Sequence, residues 1–288
     1  MTAAGARMPS PQRADGIALA LGGGSARGLA HIVVLETLDE LGLEPVAIAG
    51  TSMGSICGAL YAAGLSAREM REDFERQLAS RTRFVRRFAG KLPGGLASLW
   101  SPRSPSVIDN VTLFEMILPD ILHCDFAALR LPFVAVAADF YAIEQVLLDH
   151  GPLIPALAAS CALPAWARPV VIDGRVLIDG GYVNPVPFDV VMDPARITIA
   201  VDVTGDPQRR RGARVPHPFE AMTGAAQLLF HSITREKLKS TRPDILIRPD
   251  VGRFGAFDFF KIDEILAAAA SCKEELKRQL AQRLDGPN

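Results

Sequence analysis

Short apolar runs alternate with longer segments whose apolar residues recur at helical spacing, and that alternation predicts a parallel sheet covered by helices. Ile17 to Leu21 (IALAL) reads as a first strand, and Leu29 to Leu41 as a helix with Leu, Ile and Val on one broad face. A second strand ends at Ala49, and Met53 to Gly64 reads as a buried helix of small residues. Ser66 to Leu78 is amphipathic, with Ser66 in the N-cap position and Glu69 three residues on, the pattern of a capping box.

Further strands are predicted over Leu131 to Asp139 and Ile143 to Asp149, followed by a small-residue helix over Leu153 to Ser160. In PVVIDGRVLIDGG two β-rich runs meet at Asp173-Gly174, the dipeptide preferred in a type I′ hairpin turn, and the second arm delivers Asp179 directly before Gly180 and Gly181. Arg196 to Val203 reads as a core strand and Asp244 to Asp250 as a late one. Helices are predicted over Pro218 to Lys239 and Ile262 to Arg283. Residues 1–16 read as a flexible N-terminal tail, 17–204 as the main α/β unit, and 205–288 as a helix, strand and helix packed on the same domain.

Composition narrows the function classes. A formal net charge of -1 argues against non-specific nucleic-acid binding, which needs a basic face. Cys57, Cys124, Cys161 and Cys272 form no C-x-x-C pair, so they read as free thiols of a reducing, cytoplasmic compartment rather than a metal site. The apolar run after the tail is too short for a signal-peptide core, and the uncharged stretch from Pro45 to Ala67 is broken by Gly, Ser and Thr, which favours a buried strand and helix over a membrane span. Charge is nonetheless unevenly spread. No acid lies between Glu75 and Asp109, where seven Arg and Lys accompany Phe84, Phe88 and Trp100. Residues 80–105 therefore read either as an inserted flap in peripheral contact with anionic lipid or as a connector with a solvated cationic face. A second basic stretch, DPQRRRGARVPHP, reads as an exposed loop.

Two glycine-rich turns carry the candidate chemistry. GTSMG (Gly50 to Gly54) matches G-x-S-x-G, in which a serine sits on a sharp strand-to-helix turn and is exposed for attack on a carbonyl. GGGSARG (Gly22 to Gly28) has the same setting and admits two readings. Its amides suit a pyrophosphate, with Glu44 near the place of a ribose-binding acid, but Arg27 stands where the last glycine of the dinucleotide pattern belongs. Alternatively the same amides hold the charge that develops on a carbonyl oxygen. A parallel crossover places both turns at one edge of the sheet, which favours a single shared site. The serine needs a base. His217 and His231 follow in the order of a Ser-Asp-His triad, whereas Asp179 ends a strand before two glycines that admit close backbone approach. Asp139, Asp149 and Asp202 also sit at strand ends and read as turn or capping acids.

GGGSARG, GTSMG, ASCALP (Ala159 to Pro164) and DGG (Asp179 to Gly181) together resemble, in order, the four blocks of the patatin-like phospholipase family. The resemblance covers about Ile17 to Thr204, and Val33 departs from it where relatives place glycine. It implies an α/β fold, a patatin-like three-layer α/β/α sandwich with a mostly parallel central sheet and a nucleophile elbow. It further implies a serine-aspartate dyad acyl hydrolase acting on lipid esters without metal or cofactor. Ser52 would be the nucleophile and Asp179 its base, with Gly22, Gly23 and Gly24 forming the oxyanion hole and Arg27 fixing that turn. Gly28, Gly50, Gly54, Gly180 and Gly181 would support the site, and Ser160 and Pro164 fall in the third, structural block. The other readings are a Ser-His-Asp esterase, a dinucleotide-binding module and a non-catalytic lipid-binding regulatory protein. No pattern assigns an oligomeric state.

Overall fold

The computed structural model describes residues 16–80, 109–192, 197–206 and 215–284, so the tail and nearly all of the flap lie outside the described residues. Among the described residues eight strands form one sheet: β1 (Ile17–Leu21), β2 (Pro45–Thr51), β3 (Phe133–Asp139), β4 (Glu144–Leu148), β5 (Val170–Ile172), β6 (Arg175–Asp179), β7 (Ile197–Val201) and β8 (Ile245–Ile247). The helices are α1 (His31–Leu41), α2 (Met53–Ala62), α3 (Ala67–Leu78), α4 (Asn110–Ile117), α5 (Leu153–Ser160), α6 (Phe188–Val191), α7 (Pro218–Ser240), α8 (Ile262–Ala269) and α9 (Cys272–Leu284).

The order is β5-β6-β3-β2-β1-β7-β8, with β4 paired to the other edge of β3. From β3 through β8 the path is parallel, while β4 and β6 run antiparallel to β3. Every residue of β1 is buried, as a strand covered on both faces requires. Ile17, Leu19 and Leu21 enter the larger core with α1, α2, α8 and α9. Ala18 and Ala20, joined by Ala47, Ala49 and Ala200, face the other way, and these small side chains let the short α6 lie close, with Phe188 filling the space. The result is the expected α/β fold, a mostly parallel sheet between two helical layers.

The pairing of β3 along its two edges positions Ser52 and Asp179. β4 occupies one edge of β3 along Ala135 to Asp139. The opposite edge is shared: β2 pairs with Phe133 to Val136 and ends with Thr51 opposite Val136, while β6 pairs with Ala137 to Asp139 and ends with Asp179 opposite Ala137. The two strands therefore run toward each other along one edge and stop at adjacent residues of β3. Their C-terminal ends face each other across one step of the pleat, about 3.3 Å along β3.

Local signals in the sequence account for most boundaries. The capping box at Ser66 and Glu69 forms with both of its bonds, and Asp173 (φ 49°) with Gly174 (φ 76°) makes the turn between β5 and β6. Three expectations are corrected. The first turn before α1 is a 3₁₀ segment over Ser25–Ala30, so the α-helix starts at His31 rather than Leu29. β2 continues to Thr51, two residues beyond Ala49. The last helix is divided into α8 and α9, at a point where Ser271 and Glu274 have the spacing of a new helix start. Both halves then bury their apolar faces, α8 on the 3₁₀ turn and α9 on α1, where Lys273 pairs with Glu36 at 2.9 Å and Glu40 at 2.7 Å.

The strand junction depends on Gly180, where an added Cβ would lie 2.2 Å from the Val136 carbonyl oxygen. Gly180→Ala is expected to destabilise the fold by about 3 kcal/mol or more, because backbone on both sides must give. Gly174→Ala, at positive φ but in open space, is expected to cost about 1–2 kcal/mol. Urea denaturation of the two variants checks the contrast; equal losses would show that the junction is loosely packed.

Candidate active site

Ser52 stands between β2 and α2 with φ 52° and ψ −125°, a conformation that non-glycine residues rarely adopt. Three anchors hold it. Its N–H donates to Ser160 Oγ at 2.9 Å, and that hydroxyl donates to the Val136 carbonyl at 2.7 Å. Its carbonyl accepts from the N–H and the hydroxyl of Ser55, at 2.8 and 2.6 Å. The sharpness of the turn needs both glycines of the pentapeptide: a Cβ on Gly54 would lie 2.1 Å from the Leu21 carbonyl oxygen, and one on Gly50 would lie 2.5 Å from that of Gly54. Gly28 likewise backs onto the Met53 side chain.

Asp179 arrives from the opposite direction at the end of β6. Its N–H donates to the Ala162 carbonyl, and its Oδ1 accepts from the Gly181 N–H at 2.8 Å. The carboxylate is buried, and loss of solvent pushes its pKa up to about 6, opposed by the Gly181 N–H and the Ser52 side chain. Hydroxyl and carboxylate thus share one desolvated place. A cavity of about 470 Å³ opens from them, lined almost wholly by apolar groups such as Leu60, Phe74, Leu113, Phe114 and Trp166. A second space of about 40 Å³ also adjoins Ser52 and Asp179 and is bounded by Gly23, Gly24, Ser25, Arg27 and the α7 residues Thr223, Gln227 and Phe230.

The triple-glycine turn lies against this centre, since a Cβ on Gly23 would stand 3.3 Å from that of Ser52. Its three amides are not equivalent. The Gly22 N–H donates to the Val201 carbonyl at 2.9 Å, and the Gly23 N–H to that of Pro185 at 2.8 Å. Both are thereby committed to the backbone, which narrows the three-amide expectation. The N–H groups of Gly24, Ser25 and Met53 have no acceptor among the described residues. Ser25, at φ 50°, turns the chain so that the amides of Gly24 and Ser25 follow one another at the bend, as in a backbone nest for an anion. Arg27 fixes the turn from behind: its Nε donates to Val203 O at 3.2 Å and its Nη1 to Phe254 O at 3.0 Å. Burial lowers its pKa to about 10 against the pull of Asp202, Asp206 and Asp258, so it remains a cation. Buried His31 donates from Nε2 to the Gly22 carbonyl at 2.8 Å, and desolvation brings its pKa down to about 4, which keeps it neutral.

The competing acids and bases have other employment. Asp139 caps the N–H groups of Tyr141 and Ala142, Asp149 pairs with exposed His150, and Asp202 pairs with Arg248. Neither His217 nor His231 lines either space around Ser52; His231 contacts the Gly205 carbonyl and Asp206. Glu44 pairs with Arg130 at 3.0 Å. Among the described residues no group of acids, histidines and cysteines is placed to hold a metal, and no helix is long and apolar enough to cross a membrane.

Some contributors are not singled out by sequence reasoning. Met53 was only the residue after the serine, and the walls of the cavity come from segments far apart in the chain, including Phe257, Phe259 and Phe260. Asn110, which donates to the carbonyls of Ala158 and Cys161, is another. Ser160 was recognisable through its block, though not its place between Ser52 and Val136.

Residues 19–192 match the family model described as patatin-like phospholipase. An uncharacterized NTE family protein of Mycobacterium tuberculosis is 36% identical over 190 residues, covering 66% of this chain and 49% of its own length. Patatin-like phospholipase domain-containing protein 6 of Mus musculus is 29% identical over 279 residues, covering 86% of this chain and 20% of its own. This chain thus spans about half the length of the mycobacterial relative and a fifth of the murine one. The crystal structure of VipD from Legionella pneumophila superposes with a TM-score of 0.48 at 12% identity, covering 93% of this chain and 67% of that one. With the family model spanning more than half of its residues, the chain belongs to the patatin-like phospholipase family.

Proposed function

We propose that this protein is a lipid acyl hydrolase in which Ser52 is the nucleophile and Asp179 its only general base. The observation that carries the reading is the meeting of β2 and β6 on β3, which sets hydroxyl and carboxylate together beside a large apolar cavity. Ser52 Oγ attacks the ester carbonyl as its proton passes to Asp179. The carbon–oxygen bond to the alcohol breaks, and the alcohol leaves with that proton. Water, deprotonated by the same carboxylate, then attacks the acyl-enzyme, releasing the fatty acid and restoring the serine.

Each neighbouring feature has a part in this scheme. The apolar cavity suits the acyl chain. The smaller space, close to the volume of one water molecule, suits the oxyanion or the hydrolytic water. The amides of Gly24 and Met53 stand as donors to the oxyanion, helped by the positive end of α2. A carboxylate with a pKa of about 6 is still ionised at neutral pH yet is a stronger base than an exposed one. Among the described residues no histidine lines either space around Ser52, which favours the dyad over a Ser-His-Asp triad.

Ser52→Ala is expected to lower turnover of a p-nitrophenyl ester by roughly 10⁴-fold or more, and Asp179→Asn by at least about 10²-fold. Normal turnover in either variant rejects the dyad, and failure of the wild type to react with a fluorophosphonate probe rejects the nucleophile.

Activity and stability are expected to respond to pH in opposite senses. kcat/KM rises with pH through an apparent pKa near 6 as Asp179 ionises. Between about 3.8 and about 6 the native carboxyl holds a proton that the unfolded chain has released, so its contribution favours folding at low pH and is lost as pH rises through 6. Asp179→Asn should therefore be inactive yet more stable at pH 8, by up to about 3 kcal/mol. Denaturation of both proteins at pH 5 and pH 8 checks this; a variant less stable than the wild type at pH 8 contradicts it.

A further inference from the structure

Helix α7 lies beyond residues 19–192, the span that the family model matches, and still supplies part of the wall around the reactive pair. Thr223, Ala226, Gln227 and Phe230, at helical spacing on one face, border the small space that Ser52 and Asp179 also adjoin. Phe230 reaches the turn that carries the acid. A Cβ added to Gly181 would lie 2.7 Å from the Phe230 ring and 3.0 Å from Asp179 Oδ1, so ring and carboxylate crowd the same side of that residue. The N–H of Gly181 is the one that donates to Asp179 Oδ1, at 2.8 Å. The ring also meets Tyr182 edge to face, with centroids 5.3 Å apart.

Polar contacts hold the helix on either side of this ring. With its amide oxygen turned to the guanidinium, Gln227 accepts from Arg27 Nη2 at 3.0 Å and Nη1 at 3.1 Å. His231 meets the Gly205 carbonyl at 2.9 Å and Asp206 at 3.1 Å. Further along, Lys237 donates to Asp189 at 2.6 Å, to the Val186 carbonyl at 2.7 Å and to the Asn184 side chain. Asn184 belongs to the segment after Asp179: its N–H donates to the Gly180 carbonyl and its carbonyl accepts from Thr51 Oγ1, both at 2.8 Å. Phe230 thus sits between a tie to the glycine turn and a tie to the chain that joins the acid to the neighbour of Ser52. No charge on α7 competes with its apolar cover, since Ala221 to Thr234 include no Asp, Glu, Lys or Arg. The other titratable groups around the acid are Cys161 and Tyr182, both held protonated because burial and the charge of Asp179 raise their pKa values. Arg27 borders the small space but is engaged by Val203, Phe254 and Gln227, and Asp73, in the wall of the large cavity, accepts from Gln77. Loss of solvent is accordingly the largest influence on the acid.

We propose that α7 completes the active site, with Phe230 as a positioning residue that backs the Gly181 turn and keeps water from the Asp179 carboxylate, so that this group acts as a base rather than as a hydrated anion. Removing the ring joins its volume to the small space, whose edge already carries the carboxylate and the turn of Gly24 and Ser25, a setting polar enough to hold water. The proposal rests on the acyl hydrolase reading for the use of that base, and its test separates the two. Phe230→Ala and Phe230→Leu are compared with the wild type by the pH dependence of kcat/KM for p-nitrophenyl butyrate and by carbon-13 NMR titration of the Asp179 carboxyl, which needs no turnover. Circular dichroism reports whether each variant is folded.

Phe230→Ala is expected to lower both midpoints from near 6 to about 5 or below, and kcat at pH 8 by roughly 10-fold as the base weakens. Phe230→Leu, which keeps most of the apolar cover, should hold both midpoints near 6. A folded Phe230→Ala whose midpoints stay at the wild-type values overturns the proposal even if its turnover falls, because packing alone then accounts for the loss. An equal fall in Phe230→Leu also overturns it. So does unfolding of both variants, which makes the ring part of the core. A wild type that cleaves no ester, but whose Asp179 midpoint still falls with Phe230→Ala, leaves the role of α7 standing and rejects the hydrolase. Full ester turnover with an Asp179 midpoint indifferent to both substitutions does the reverse.

Discussion

The reactive geometry depends on how β3 shares one of its edges. A strand edge offers a fixed row of donors and acceptors, and here β2 takes the first half and β6 the second, in opposite directions. Neither can be extended without displacing the other. Ser160 joins the arrangement at its midpoint, its hydroxyl accepting from the Ser52 amide and donating to Val136, the β3 residue opposite the end of β2. Register, rather than any long-range attraction between serine and acid, therefore sets their separation. The same constraint explains why glycine is needed at 180, where the turn after β6 closes to contact distance on the Val136 carbonyl of β3; at 54 it is the first turn of α2 that closes on the Leu21 carbonyl of β1.

Electrostatics gives this geometry its chemical character and sets its cost. Asp179 is buried and, among the described residues, has no cationic partner; one backbone N–H and the serine hydroxyl offset the desolvation penalty on its ionised form. Arg27 is also buried, but its contacts are to backbone carbonyls behind the glycine turn. The cation thus stiffens the amides without neutralising the acid. A direct ion pair between them would lower the basicity on which proton transfer from Ser52 depends.

Much of this was legible in the sequence, for identifiable reasons. The two glycine turns, the capping box at Ser66 and the Asp173-Gly174 turn are local patterns whose physics involves few neighbours. Most strands also announced themselves, because doubly covered strands are continuous apolar runs. What escaped depended on tertiary partners. The commitment of the Gly22 and Gly23 amides to Val201 and Pro185 follows from where β7 and the segment before α6 pass. The break between α8 and α9 carried a signal, Ser271 with Glu274, that a continuous run of alanines and leucines masked. The cavity walls, drawn from α2, α3, α4 and the segment at Phe257 to Phe260, have no local signature.

The central claim is that one desolvated place holds both the hydroxyl of Ser52 and the carboxylate of Asp179. Carbon-13 NMR titration of the Asp179 carboxyl, in the wild type and in Ser52→Ala, tests it most directly. The account predicts a midpoint near 6 that moves higher when the hydroxyl is removed. A midpoint in the ordinary range near 4, unmoved by the serine substitution, would contradict it.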